Sequence, residues 1–156
     1  MAITKLIHMK ESSSKEKGKH LKNAVCYILN PEKTAGGLYM NSNCGCDANE
    51  IYQGMIQTKK QHGKTWGRQG YHFVISFAPG EATEETAFAV MQDFTDQYLK
   101  DEYDYVYVVH NDKEHIHGHL IFNSLSYSGY KYHYKEGQWK NEIQPVTDSI
   151  CRKYGL

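Results

Sequence analysis

Alternating histidines in the stretch HIHGHLIFN, residues 115–123, are the residues of this sequence most able to do chemistry. Successive side chains of a β-strand point to opposite faces of a sheet. A strand here would therefore carry four polar side chains on one face: His115, His117, His119 and Asn123. A lone histidine is usually an ordinary surface residue, but four histidines between positions 110 and 119 favour a functional site.

His110 is the fourth of these histidines, and it stands seven residues before His117. A short turn over residues 111–114 would fold the chain back and place His110 beside the pair His117 and His119. Three imidazoles with room for a substrate or a water molecule are typical of a catalytic metal centre. Gly118 falls among the core-facing positions, where a missing side chain indicates close approach by another group.

A different interpretation needs no metal. HIHGHLI resembles the signature of the histidine-triad nucleotide hydrolases, in which a histidine attacks a nucleotide phosphate. Gly118 stands where that family has a bulky apolar residue, and the interpretation leaves His110 and Asn123 without a role.

The elements that would position these side chains follow from the hydrophobic pattern. Strands are expected at 3–9, 36–43, 70–81, 102–110 and 115–126, and helices at 19–30, 47–61, 83–99 and 144–154. Pro31 is expected to end the first helix, Thr83 could cap the third, and residues 127–139 suggest a further hairpin. The last two long strands are expected to form a hairpin, so the expected fold class is α+β, a central mostly antiparallel sheet with flanking helices.

The distribution of charge along the chain says more about function than the overall composition does. The 156-residue chain is neutral, with 18 basic and 18 acidic residues, and is expected to form one domain. Residues 59–68 contain four basic side chains and no acidic one, which suits phosphate groups. The four cysteines follow no metal-binding spacing and are expected to be free thiols. No apolar segment approaches the length of a membrane span, so we expect a cytoplasmic protein without membrane insertion.

Three motifs together carry a resemblance to a known family. VVHNDKEHIHGHLIFN resembles the metal motif of relaxases of the Mob/VirD mobilisation type, within the HUH endonucleases. YHFVISFAPGE resembles the second motif of that family, and AVCYILNPEKT resembles the first. The motifs occur in the family's order and span nearly the whole chain. Residues 1–156 are therefore interpreted as a relaxase nuclease domain, the N-terminal part of a longer protein.

The resemblance implies nicking and rejoining of one DNA strand at an origin of transfer. Tyr27 would be the nucleophile, forming a 5′-phosphotyrosyl intermediate. The helix pattern agrees, because Tyr27 falls off the apolar stripe of Leu21, Val25 and Ile28, where a packing tyrosine would lie. Single-stranded DNA, accessory DNA-binding proteins and coupling proteins would be partners of a monomer.

Two further interpretations involve nucleic acid. One is a replication-initiator nuclease, which would use a tyrosine in YHYK at 132–135. The other is a non-catalytic nucleic-acid-binding domain, in which the histidines would hold a metal ion for structure alone.

The resemblance to relaxases also implies roles for particular side chains. His110, His117 and His119 would hold a divalent metal ion, either Mg or a transition metal such as Mn, with His115 as the alternative to His110. Five residues are expected to orient ligands or contact phosphate: Asp112, Glu114, His115, His72 and Asn123. Six are expected to bind DNA: Ser76, Lys59, Lys60, Lys64, Trp66 and Arg68. Among the last six, cations would contact phosphates and the tryptophan ring would stack on a base.

Overall fold

A five-stranded antiparallel sheet is the centre of the fold. The structure, a computed structural model, describes residues 2–7, 9, 18–33, 39–111 and 115–156. The strands are β1 (Ile3–Ile7), β2 (Met40–Ser42), β3 (Gly70–Ser76), β4 (Tyr103–His110) and β5 (His117–Ser126). The helices are α1 (Lys19–Ile28), α2 (Ala48–Gln61), α3 (Glu84–Leu99) and α4 (Gln144–Lys153), the last preceded by a π-helical turn at Trp139–Ile143. The strand order is β1-β3-β5-β4-β2, which confirms the predicted α+β class.

Helices cover both faces of the sheet. One apolar core joins Val106, Val108 and Ile121 of the sheet to α1 and α2. The other core joins Leu120 and Phe122 to α3 and α4. A sheet that is covered on both faces has strands with near-continuous burial, and β5 is buried at every position after His117.

The helix ends were predictable from the sequence in part. α1 ends at Ile28, shortly before Pro31, as predicted. The Asp47 side chain accepts a hydrogen bond from the backbone N–H of Glu50 and caps α2. Thr83 caps α3 in the same way through the N–H of Thr86. Each cap satisfies a donor that the first turn of a helix would otherwise leave unpaired.

The predicted hairpin of β4 and β5 is confirmed, with His110 paired to His117 and Val108 to His119. Gly118 also has the close neighbour that its position indicated, because a Cβ atom there would lie 2.6 Å from Cγ of Met91 on α3. The hairpin expected at residues 127–139 is wrong. Residues 130–132 instead fold back on the end of β5. The Ser126 N–H donates to the Tyr130 carbonyl and the Tyr132 N–H to the Ser124 carbonyl, on either side of the bridge between Leu125 and Lys131.

No helix in the described part of the chain is long and apolar enough to cross a membrane. The four cysteines are free thiols, as the sequence predicted.

Candidate catalytic pocket

Sheet register places the predicted metal ligands on neighbouring strands. His117 at the start of β5 lies between His110 of β4 and Ser76 of β3. His119 lies two positions further along, paired with Val74 of β3. The alternation of strand side chains brings the imidazoles of His117 and His119 to the α1 face of the sheet.

The last turn of α1 brings Tyr27 to these histidines. Leu21, Val25 and Ile28 are fully buried beneath the helix, whereas Tyr27 is 50% exposed. The Tyr27 ring meets those of His110 and His119 edge-on, with centroid distances of 6.2 and 6.5 Å. Nε2 of His110 donates a hydrogen bond of 2.7 Å to the carbonyl oxygen of Ile28. The last carbonyls of a helix lack partners within the helix, so this bond fixes the helix end that carries Tyr27 against β4.

A pocket of about 280 Å³ opens where these elements meet. Its lining residues are Lys5, Ile7, Tyr27, Lys33, Val74, Ser76, His110, His117 and His119. The Lys33 ammonium lies 5.0 Å from the centre of the Tyr27 ring. Among the described residues that line the pocket, two are lysines and none is a carboxylate, so the pocket suits an anion such as a phosphodiester.

His72 lies behind His119, away from the pocket mouth. Their ring nitrogens, Nε2 of His72 and Nδ1 of His119, are 2.8 Å apart. Burial, followed by repulsion from His110, lowers the pKa of His72 to about 4. A neutral His72 therefore orients the His119 ring, as partners of metal-ligating histidines commonly do.

The imidazole nitrogens of the pocket suit a divalent ion as ligands, whereas the distances between the three histidine rings suit one less well. His110 and His119 have ring centroids 4.2 Å apart, whereas those of His117 and His119 are 6.3 Å apart. In the parts of the chain that the structure describes, no three His, Cys, Asp or Glu side chains are grouped closely enough to hold a metal ion. Imidazole nitrogen is nonetheless a common ligand of transition metals.

The remaining described residues predicted around the metal, His115 and Asn123, do not line the pocket. Asp112 and Glu114 lie outside the described residues. His115 precedes β5, and its ring lies 4.7 Å from that of His117, but it does not line the pocket. Asn123 is fully buried, and its Nδ2 donates to the Met55 carbonyl and to Asp104. Asn123 therefore connects α2 to the sheet at a distance from the pocket.

The predicted DNA contacts divide into three groups. Ser76 lines the pocket. Lys60, Lys64, Trp66 and Arg68 lie at or after the end of α2, towards the opposite end of β3. Lys59 does not share their surface: its side chain is 1% exposed, because it follows Ile51 and Met55 on the buried stripe of α2. Burial corrects the expectation that Lys59 offers its charge to DNA.

The two lysines of the pocket were not predicted from the sequence. The sequence shows only that Lys5 shares a strand face with Ile3 and Ile7. Its position on the histidine face depends on the pairing of Lys5 with Val74, and of Val74 with His119. Lys33 follows α1 in NPEK, and no pattern in the sequence indicates that it lies over Tyr27.

Tyr132 lies in the aromatic core on the other side of the sheet. It is the tyrosine of YHYK that a replication-initiator nuclease would use as its nucleophile. Its hydroxyl is hydrogen-bonded to that of Tyr98, and its ring packs on Phe122. Burial, with further contributions from Tyr98, raises its pKa. These surroundings are unfavourable for a nucleophile.

Comparisons with known proteins agree with the motifs. The family model "Relaxase: MobA/VirD2-like, nuclease domain" matches residues 27–156. Two proteins of Staphylococcus aureus named Protein rlx are 30% and 28% identical, each alignment covering 100% of this chain and 44% of the relative. The Group II intron-interrupted relaxase LtrB of Lactococcus lactis subsp. cremoris is 26% identical, over 87% of this chain and 31% of that protein. The chain thus spans less than half the length of these curated relatives. With most of its residues matched by the family model, the chain belongs to the MobA/VirD2-like relaxase nuclease-domain family.

Proposed function

We propose that this domain nicks and rejoins one DNA strand at an origin of transfer, as part of plasmid or conjugative-element mobilisation, with Tyr27 as the nucleophile. The observation that carries the proposal is the position of Tyr27. An exposed tyrosine stands at the end of α1 with its ring against His110 and His119, in a pocket that two lysines also line. Membership of the relaxase family favours this function over nucleotide hydrolysis by a histidine triad.

In the proposed reaction the Tyr27 hydroxyl oxygen attacks the scissile phosphorus. A phosphorus–oxygen bond forms to tyrosine as the bond to the 3′ oxygen of the departing strand breaks. Tyrosine loses one proton and the departing 3′ oxygen gains one, so the step balances without a net change of protons. The reverse attack of the 3′-hydroxyl rejoins the strand and releases Tyr27.

Positive charge is needed because a phosphodiester is anionic and repels a nucleophile. Lys5 and Lys33 lie on the pocket wall, where their ammonium groups would attract the scissile phosphate and oppose charge that develops on it. Ser76 would donate a hydrogen bond to a phosphate oxygen. These contacts would hold the phosphorus next to the Tyr27 hydroxyl.

His110, His117 and His119 are the residues that we propose to hold a divalent metal ion. A bound ion would neutralise charge on the scissile phosphate oxygens and assist deprotonation of the phenol. His110 and His119 each have one ring nitrogen in a hydrogen bond, to Ile28 and to His72. Those bonds would fix the orientation in which the other nitrogen of each ring approaches the ion.

The test is incubation of the chain with labelled oligonucleotides that carry candidate origin sequences, with and without EDTA. We expect a covalent protein–DNA adduct that EDTA abolishes and that the Tyr27→Phe variant does not form. Tyr52→Phe is the control, because it removes the same hydroxyl group from a tyrosine of α2 that lies in the core, outside the pocket. An adduct that persists in Tyr27→Phe would overturn the assignment of the nucleophile. An adduct that forms equally in EDTA would overturn the metal proposal. Accessory DNA-binding and coupling partners and a monomeric state remain predictions.

A further inference from the structure

A second surface with the chemistry of nucleic-acid binding lies away from the pocket. It consists of two segments, residues 62–69 after α2 and residues 127–131 after β5, which we call the distal surface. Three hydrogen bonds to backbone carbonyls join them. His62 Nε2 donates to Tyr127 over 3.0 Å, Lys64 Nζ to Gly129 over 2.6 Å, and Lys131 Nζ to Trp66 over 2.7 Å.

Two glycines allow the segments to approach each other this closely. Gly67 has φ +78°, and a Cβ atom there would lie 2.8 Å from Nζ of Lys131. Gly129 has φ +89°, and its Cβ atom would lie 3.0 Å from Nδ1 of His62. Positive φ is strained for residues with a side chain. The distal surface is therefore a joined structure, not two independent loops.

Exposed rings and cations occur together on this surface. Trp66 is 53% exposed and Tyr130 is 75% exposed. The Lys131 ammonium lies 5.4 Å from the centre of the Trp66 ring, and the Arg68 guanidinium lies 5.3 Å from that of Tyr71. Neither segment contains an aspartate or a glutamate. Exposed rings for bases, with cations for phosphates, are the combination that single-stranded nucleic acid binds.

The distal surface and the pocket stand at opposite ends of the same strands. Ser76, the last residue of β3, lines the pocket, and Gly70, the first, adjoins the segment 62–69. Six residues of extended chain span roughly 20 Å. A DNA strand held in the pocket would therefore need several further nucleotides to reach Trp66.

We propose that the distal surface binds single-stranded DNA, with bases stacked on Trp66 and Tyr130 and phosphates held by Lys131 and Arg68. The identity of the nucleic acid rests on the proposed function. Single-stranded DNA is favoured over duplex because exposed rings can stack only on bases that are themselves unstacked. The distal surface would thus hold the strand at a second point while Tyr27 acts at the first.

Tryptophan fluorescence tests the stacking directly, because the chain has two tryptophans. Trp139 is partly buried and donates its indole N–H to the Thr4 carbonyl, which makes it the matched control. We expect oligothymidylate, which needs no origin sequence, to quench the fluorescence of the wild-type chain and of Trp139→Phe. Trp66→Phe should bind with nearly unchanged affinity but lose the quenching. Trp66→Ala and Tyr130→Ala should each bind about tenfold more weakly.

The salt dependence of binding tests the cations. Lys131→Gln should lower the slope of log affinity against log salt concentration by about 0.7, the value for one phosphate contact on a single strand. Lys140→Gln, at an exposed lysine of the π-helical turn, should leave the slope unchanged. Equal quenching in Trp66→Phe and wild type, or unchanged affinity in Trp66→Ala, would overturn the proposal. So would weaker binding of a duplex, but not of oligothymidylate, by Trp66→Ala and Tyr130→Ala.

The two proposals can fail separately. Tyr27→Phe should retain oligothymidylate binding and quenching, since the distal surface does not contain Tyr27. If oligothymidylate quenches Trp66 but no origin oligonucleotide forms an adduct, the nicking function fails and the distal surface stands. If adducts form equally well in the wild type, Trp66→Ala and Tyr130→Ala at every DNA concentration, the distal surface fails and the nicking function stands.

Discussion

Replacement of buried Lys59 by methionine should change how stability depends on pH. The Lys59 side chain is 1% exposed, and its ammonium lacks a hydrogen-bond partner among the described residues. Burial lowers the pKa of Lys59 from 10.5 to about 7, against the attraction of Asp104. Between these two values the unfolded chain holds a proton that the folded chain has released, so the free energy of unfolding rises with pH. Lys59→Met removes that titration and keeps a side chain of similar length.

The size of the effect follows from the gap between the two pKa values. A gap of roughly 3.5 is worth between 4 and 5 kcal/mol in total, at about 1.4 kcal/mol per pH unit. Because the folded group is half-protonated near pH 7, about 2 kcal/mol of this should develop between pH 7 and pH 9. Over that interval the wild type should gain about 2 kcal/mol of stability relative to Lys59→Met.

Urea unfolding of both chains at pH 7, 8 and 9 measures the difference. Lys60→Met is the matched control, because Lys60 is the exposed neighbour on the same helix, and its curve should run parallel to that of the wild type. Parallel curves for the wild type and Lys59→Met would refute the reasoning. A loss of about 0.7 in the DNA-binding salt slope of Lys59→Met would also contradict burial, because it would assign Lys59 a phosphate contact.

Other variants test single contacts. Gly118→Ala should lower the free energy of unfolding by about 1–3 kcal/mol, because the added Cβ would clash with the Met91 side chain. The loss should be smaller in a Met91→Ala background, and an equal loss in both backgrounds would exclude this contact as the cause. Tyr127→Phe removes the hydroxyl that donates to buried Asp104 and should lower the free energy of unfolding by about 1.5–3 kcal/mol. Tyr130→Phe, at a ring that is 75% exposed, should be nearly neutral, and equal losses for the two variants in urea unfolding would count against this hydrogen bond. His72→Phe should weaken Mn²⁺ binding about 10–100-fold, measured by calorimetry, because it removes the hydrogen-bond partner of His119. His20→Phe, on the exposed face of α1, should bind Mn²⁺ like the wild type, and unchanged binding by His72→Phe would refute the role of His72 in positioning His119.

Much of the fold could be predicted because local patterns of a few residues determine where strands and helices form and end. The alternation in β5 separates the histidine face from Leu120 and Phe122, and Pro31 ends α1 close to Tyr27. The three motifs identified the family because they occur in the family's order along the chain. Long-range register could not be predicted: the contact of His72 with His119 depends on the pairing of β3 with β5, which no local pattern specifies.

Two errors have physical causes. Lys59 was assigned to DNA by its charge, although it lies eight residues after Ile51 and four after Met55, the spacing of a buried helix stripe. A hairpin was expected within residues 127–139, but residues 130–132 pair with the end of β5, and the Tyr132 ring packs among Tyr71, Tyr98 and Phe122.

The central claim is that Tyr27 becomes covalently linked to DNA. Trypsin would release residues 23–33, NAVCYILNPEK, a peptide in which Tyr27 is the sole tyrosine. Mass spectrometry of the trapped adduct, after nuclease digestion, should find this peptide heavier by a 5′-linked nucleotide on tyrosine. Attachment to a peptide that contains Tyr132, or to any histidine, would contradict the account.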